Sequence, residues 1–97
     1  LTITPMPQQV RRTLEIINEK GLHARASAKL AEVVETHDAR ATVSREGLSA
    51  SGDSIMGLLM LAASKGTTIE VETCGPEAAK LAQALEDLVA NRFGEDF

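Results

Sequence analysis

Alternation and helical spacing divide this chain into a series of short elements. Val10, Arg12, Leu14 and Ile16 alternate with Arg11, Thr13 and Glu15, which predicts a half-buried strand running to Ile17 and turning at Asn18-Glu19-Lys20-Gly21. Ser27, Leu30, Ala31 and Val34 then fall at i, i+3, i+4 and i+7, with Lys29, Glu32 and Glu35 on other faces, which predicts a helix over Ala24–Glu35. Thr36-His37-Asp38 ends it. Ala41 to Ser44 alternates as a short strand, Arg45-Glu46-Gly47 is a turn, and Leu48 to Ser51 is a weaker partner strand. Gly52-Asp53-Ser54 opens a second helix, expected from Ile55 to about Ala63 and closed by Lys65-Gly66. Thr67 to Thr73 alternates cleanly, with Ile69 and Val71 inward and Glu70 and Glu72 outward. Gly75-Pro76-Glu77 begins the last helix, with Pro76 expected in its first turn. Its stripe is Ala78, Leu81, Ala82, Leu85, Leu88 and Val89; Gly94 ends it and Glu95-Asp96-Phe97 is a tail.

The order is β-α-β-β-α-β-α. One apolar stripe per helix and alternating strands are satisfied by an α+β open-faced sandwich: a four-stranded antiparallel sheet with three helices on one face and water on the other. Residues 1–9, with Pro5 and Pro7, show no period and read as an N-terminal arm; residues 10–97 read as a single domain.

Composition narrows the function classes. The 97 residues suit one small domain, and 43% hydrophobic with 25% charged residues matches a soluble globular protein. The longest near-apolar stretch, Met56 to Ala63, falls far short of the roughly 18–20 residues of a membrane span. The net charge is −4 and the only aromatics are Phe93 and Phe97, which argues against nucleic-acid binding. A single cysteine, Cys74, excludes an internal disulfide framework, reads as structural and fits a reducing cytoplasm. No signal peptide is legible, and the chain opens on Leu1 rather than Met, which leaves earlier processing open. Nothing demands more than a monomer.

The chemistry concentrates at Gly21-Leu22-His23-Ala24-Arg25, the junction of the first strand and first helix. The first backbone N–H groups of a helix lack intrahelical partners and, with the helix dipole, favour an anion. Arg25 adds planar donors suited to phosphate. Both features disfavour the imidazolium and keep the ring in its neutral, nucleophilic form. The bland alternative, a histidine decorating a loop, stays open on spacing alone. His37 and Cys74 lack metal-ligand spacing to His23, so neither a metal nor another cofactor is called for. No G-x-S-x-G elbow occurs.

Gly21-Leu22-His23-Ala24-Arg25 resembles the active-site motif of the HPr-like phosphocarrier proteins of the bacterial phosphotransferase system. Asp53-Ser54-Ile55-Met56-Gly57 resembles that family's regulatory serine motif, in register with the first, and the element order also matches. The resemblance spans roughly Val10 to Val89. It implies that His23 accepts a phosphoryl group on Nδ1 from enzyme I and passes it to an enzyme II A component, with sugar transport as one output. Arg25 would contact the phosphate and the N–H groups of Ala24 and Arg25 would cradle it. The protein would be a covalent relay rather than a true catalyst. The family usually has proline where this chain has Ala26, a change expected to relax the turn slightly without removing the cradle.

Ser54 could be a plain N-cap. By resemblance it is a site for a dedicated HPr kinase/phosphorylase, although relatives often carry lysine where this chain has Asp53, whose charge would repel a phosphoserine. Leu58, Leu61 and Ala62 are expected in the core. Ile55, Met56 and Leu59, together with Ala28, are expected to form an apolar docking patch. Leu58-Leu59-Met60-Leu61, Ala63-Ser64-Lys65-Gly66 and the acidic Gly94-Glu95-Asp96 also resemble the nitrogen-branch carrier. That leaves a second reading: a regulatory module acting by stoichiometric contact, gated by His23 phosphorylation.

Overall fold

The computed structural model describes residues 8–97. Most of the expected N-terminal arm lies outside them. The elements are β1 (Gln9–Glu15), α1 (Ala24–Glu35), β2 (Arg40–Arg45), β3 (Leu48–Ser51), α2 (Ile55–Met60), β4 (Thr68–Cys74) and α3 (Ala78–Ala90), followed by a 3-10 turn, Arg92–Gly94. The strands form one antiparallel sheet in the order β1-β4-β2-β3.

Register explains the two faces. Leu14 pairs with Ile69, Val43 with both Val71 and Ala50, and all are buried beneath the helices. One residue along, Arg11 pairs with Glu72, which pairs with Thr42, and this row faces outward. There the Arg11 guanidinium donates to the Glu72 carboxylate at 2.6 Å. Alternation thus places the apolar positions on one face and most of the charged ones on the other, with Arg12, opposite Val71, the exception in β1.

α1 has the expected limits. Ser27, Leu30, Ala31 and Val34 are buried, and Ala26 joins them. α3 buries Ala78, Leu81, Ala82, Leu85 and Val89, while Leu88 is only partly covered. Ile16, just after β1, and Phe93, in the final turn, are fully buried and extend the core.

Three expectations about helix ends need correction. α2 stops at Met60, not near Ala63. Ala62 takes a left-handed φ of +52° and is exposed rather than part of the core. The chain leaves the helix there because Ala63 is buried and its carbonyl accepts the Leu22 N–H at 2.8 Å. Arg45 covers the helix end by donating to the Leu61 carbonyl at 3.1 Å. Lys65-Gly66 therefore belongs to the turn into β4. Pro76 lies before α3, whose N-cap is Glu77. The Glu77 carboxylate accepts the Asp38 N–H at 2.7 Å, which holds its carboxyl below the usual range and ties the helix start to the loop after α1. Finally, α3 ends at Ala90, and Gly94 closes the separate turn instead.

Candidate functional site

The turn after β1 delivers His23 in three steps. Gly21 takes a φ of +65° and its N–H donates to the Asn18 carbonyl at 3.2 Å. Leu22 is buried and held to Ala63. His23 then adopts an extended conformation (φ −78°, ψ −176°) as the N-cap of α1, with no side-chain capping bond. Its carbonyl accepts the Ser27 N–H at 2.8 Å, the first turn of the helix. The N–H groups of Ala24, Arg25 and Ala26 have no acceptor among the described residues. Ala26 is fully buried, yet its free N–H means that a proline there would forfeit no hydrogen bond.

The imidazole is about a quarter exposed, at 27%. It lines an open cleft of about 560 Å³ with Lys20, Arg25 and Lys29 on the cationic side and Glu19, Glu95 and Asp96 on the acidic side. Arg25 is exposed and makes no ion pair or side-chain hydrogen bond among the described residues, so its guanidinium is free to meet an anion. Lys29 is committed: its ammonium donates to the Phe93 carbonyl at 2.6 Å.

The acidic tail is legible in the sequence, but its return onto His23 is not. Beyond α3 the chain turns back, and the Glu95 carboxylate meets His23 Nε2 through one oxygen. Its other oxygen accepts the Asn18 side-chain amide at 2.9 Å. Asn18 is itself fully buried and also donates to the Gly21 carbonyl at 2.9 Å. The Glu95 carboxyl is held below the usual range, first by the Asn18 amide and then by His23, with burial acting in the opposite direction. Glu19 N–H donates to the Phe97 carbonyl at 3.0 Å, which fastens the end of the tail over the same turn.

A partly exposed imidazole in an open cleft, unpaired backbone donors and a free guanidinium suit a group carried at the surface more than a reaction run in a cavity. The comparisons decide which group. A family model described as the PTS HPr component phosphorylation site matches residues 10–91. The chain belongs to the HPr family of phosphocarrier proteins. HPr from Cupriavidus necator is 46% identical over 86 residues, covering 89% of this chain and 97% of that protein. The phosphocarrier protein NPr of Escherichia coli K12 is 40% identical over 88 residues, covering 90% and 98%. Among solved structures, HPr from Thermoanaerobacter tengcongensis superposes with a TM-score of 0.86 at 30% identity, over 91% of this chain and 99% of that one. The HPr-family role is that of a phosphocarrier of the phosphotransferase system, working with protein partners of that system.

In this HPr fold, the remaining expected site residues separate. His23, Ala24 and Arg25 share the cleft. Ser54 lies elsewhere, as the N-cap of α2, and its hydroxyl accepts the Gly57 N–H at 3.1 Å. Asp53 beside it accepts the Ser51 hydroxyl at 2.6 Å. Of the expected docking residues, Ile55 and Met56 are exposed, at 42% and 71%, as is Ala28 on α1, whereas Leu59 is only half-exposed. Met60, at 73%, extends the apolar surface and was not anticipated. It lies at i+4 from Met56, a spacing that could have found it. α2 packs on α1, the helix that His23 caps. No described helix is long and apolar enough to cross a membrane.

Proposed function

We propose that His23 is the phosphoryl acceptor of this carrier, taking the group from enzyme I and passing it to an enzyme II A component. The observation that carries this reading is the placement of His23 as the N-cap of α1, beside the free N–H groups of Ala24 and Arg25 and the unpaired Arg25 side chain. A neutral imidazole attacks phosphorus, and the backbone donors and guanidinium offset the dianionic charge it acquires. Incubation with enzyme I and labelled phosphoenolpyruvate gives an acid-labile, base-stable label on the protein. Absence of that label overturns the reading.

Partners approach over the surface of α1 and α2. Ile55, Met56, Leu59 and Ala28 supply its apolar contacts, with Arg25 at the edge. Met56→Asp leaves stability within about 0.5 kcal/mol, because the side chain is exposed and an acid in the first turn of a helix is tolerated. Transfer from enzyme I falls about tenfold, the cost of roughly 1.4 kcal/mol at the interface. Unchanged transfer removes Met56 from the docking surface.

Ser54 is the site of regulatory phosphorylation by an HPr kinase/phosphorylase. Its half-exposed hydroxyl stands next to the docking residues Ile55 and Met56, so a phosphate there adds charge where partners bind and slows the relay. Mass spectrometry after incubation with a kinase of this class and ATP is expected to find the modification on Ser54. An unmodified Ser54 rejects the switch, and points to the carboxylate of Asp53 as the group that blocks it.

A further inference from the structure

The tail carboxylate raises a separate question, because the chain takes an unfavourable path to place it. Arg92, Phe93 and Gly94 are consecutive left-handed residues, with φ of +54°, +54° and +79°. Two of the three are not glycine, so the reversal is specified by what it brings together rather than by local preference. It buries Phe93 fully, and it carries Glu95 onto the imidazole. Both carboxylate oxygens are engaged, one by the Asn18 amide and one by His23 Nε2. Asn18 cannot easily move, being buried and bonded to the Gly21 carbonyl.

From this geometry we infer that Glu95 is a positioning residue for His23, holding the proton on Nε2 so that the Nδ1 lone pair is the nucleophile, and balancing the charge the ring acquires when it is phosphorylated. This inference rests on the reading of His23 as phosphoryl acceptor. An ionised carboxylate only accepts hydrogen bonds, so a neutral imidazole against it must carry its hydrogen on Nε2. Nδ1 has no hydrogen-bond partner among the described residues. The step then balances without proton transfer. Nδ1 donates its electron pair to phosphorus, and the nitrogen–phosphorus bond of a phosphohistidine donor breaks with its pair returning to the donor ring. Nε2 keeps its hydrogen, so the His23 ring becomes cationic as the new bond forms. Glu95 faces that cation. Onward transfer reverses the charge, and the ring returns to its neutral Nε2–H form.

The test combines ring-nitrogen NMR of His23, at a pH where the ring is neutral, with the initial rate of phosphoryl acceptance from phosphorylated enzyme I. In the unmodified protein the Nε2–H tautomer dominates. In Glu95→Ala the tautomers mix and acceptance slows by about tenfold, the lower end of what loss of a hydrogen bond to a charged group costs. Glu95→Gln has a single acceptor oxygen; turned to Nε2 it keeps the tautomer while its amide nitrogen gives up the Asn18 bond, and it accepts phosphate more slowly than the unmodified protein because the carboxylate charge is gone. A Glu95→Ala protein with the tautomer ratio unchanged overturns the inference, whatever its rate. So does Glu95→Gln at the unmodified rate. Failure of the unmodified protein to accept phosphate overturns the reading of His23 instead, and the tautomer measurement, which needs no donor, still decides the role of Glu95.

Discussion

His23→Ala is expected to abolish the acid-labile label completely while leaving the fold in place. The two halves of this expectation have different physical origins. Loss of label follows from removal of the nucleophile, since neither the backbone donors of Ala24 and Arg25 nor the Arg25 guanidinium can form a bond to phosphorus. Retention of the fold follows from how little of the structure hangs on the ring. The imidazole makes no capping bond to α1 and its one partner is a carboxylate at a partly exposed site, so its removal costs within about 1 kcal/mol. Chemical denaturation checks the second half and labelling from phosphorylated enzyme I the first. The variant also discriminates between the two histidines. His37 Nδ1 sits 2.7 Å from the Val33 carbonyl, so that nitrogen donates to the end of α1 rather than offering a lone pair. A label that survives His23→Ala would shift the acceptor role to His37 and reject the assignment of His23.

What could be read from the sequence was the part that is local. α1 announced itself through Ser27, Leu30, Ala31 and Val34, whose spacing alone determines a buried face, and the structure buries all four. Glu70 and Glu72 marked the wet face of β4 by alternation, and Glu72 there meets Arg11 of β1. His23 and Arg25 were visible because a helix start and its unpaired donors lie within a few residues. α2 was misjudged for the opposite reason. Nothing in Leu61-Ala62-Ala63 discourages helix, and the stop is imposed from elsewhere, by the Leu22 N–H on the Ala63 carbonyl and by Arg45 on the Leu61 carbonyl. The Glu95 contact was invisible altogether. It joins residues 72 positions apart and depends on left-handed Arg92 and Phe93, residues whose propensities give no warning of that conformation. Asn18 looked like an ordinary turn residue; only its burial between the Gly21 carbonyl and Glu95 gives it a part in the site.

The same long-range logic makes Gly21 the most sensitive backbone position near the site. A Cβ added there would lie 2.5 Å from the Ala63 carbonyl oxygen and 2.9 Å from Ser64 Cα, both backbone atoms. The φ of +65° adds conformational strain of about 1–2 kcal/mol for any residue with a side chain. The collision adds about 1–3 kcal/mol, because the main chain around Ala63 has to shift. Gly21→Ala is therefore expected to destabilise the fold by about 2–5 kcal/mol, a fall in Tm of roughly 10–30 °C for a domain of this size. Gly47→Ala provides the comparison. Its φ is +82° but nothing lies within 4 Å of the added Cβ, so only the conformational cost of about 1–2 kcal/mol applies. Thermal melts of the two variants separate collision from strain, and equal melting temperatures would show that the Gly21–Ala63 approach is not tight. The consequence reaches the chemistry through one hydrogen bond. The Ala63 carbonyl that the Cβ would strike is the acceptor for Leu22 N–H, and Leu22 is the residue that anchors His23 against the core. Displacing it moves the N-cap of α1 away from Glu95 and from its own helix start. Phosphoryl acceptance by Gly21→Ala is accordingly expected to fall even at temperatures where the variant remains folded, whereas Gly47→Ala, in the β2–β3 turn, accepts at the unmodified rate.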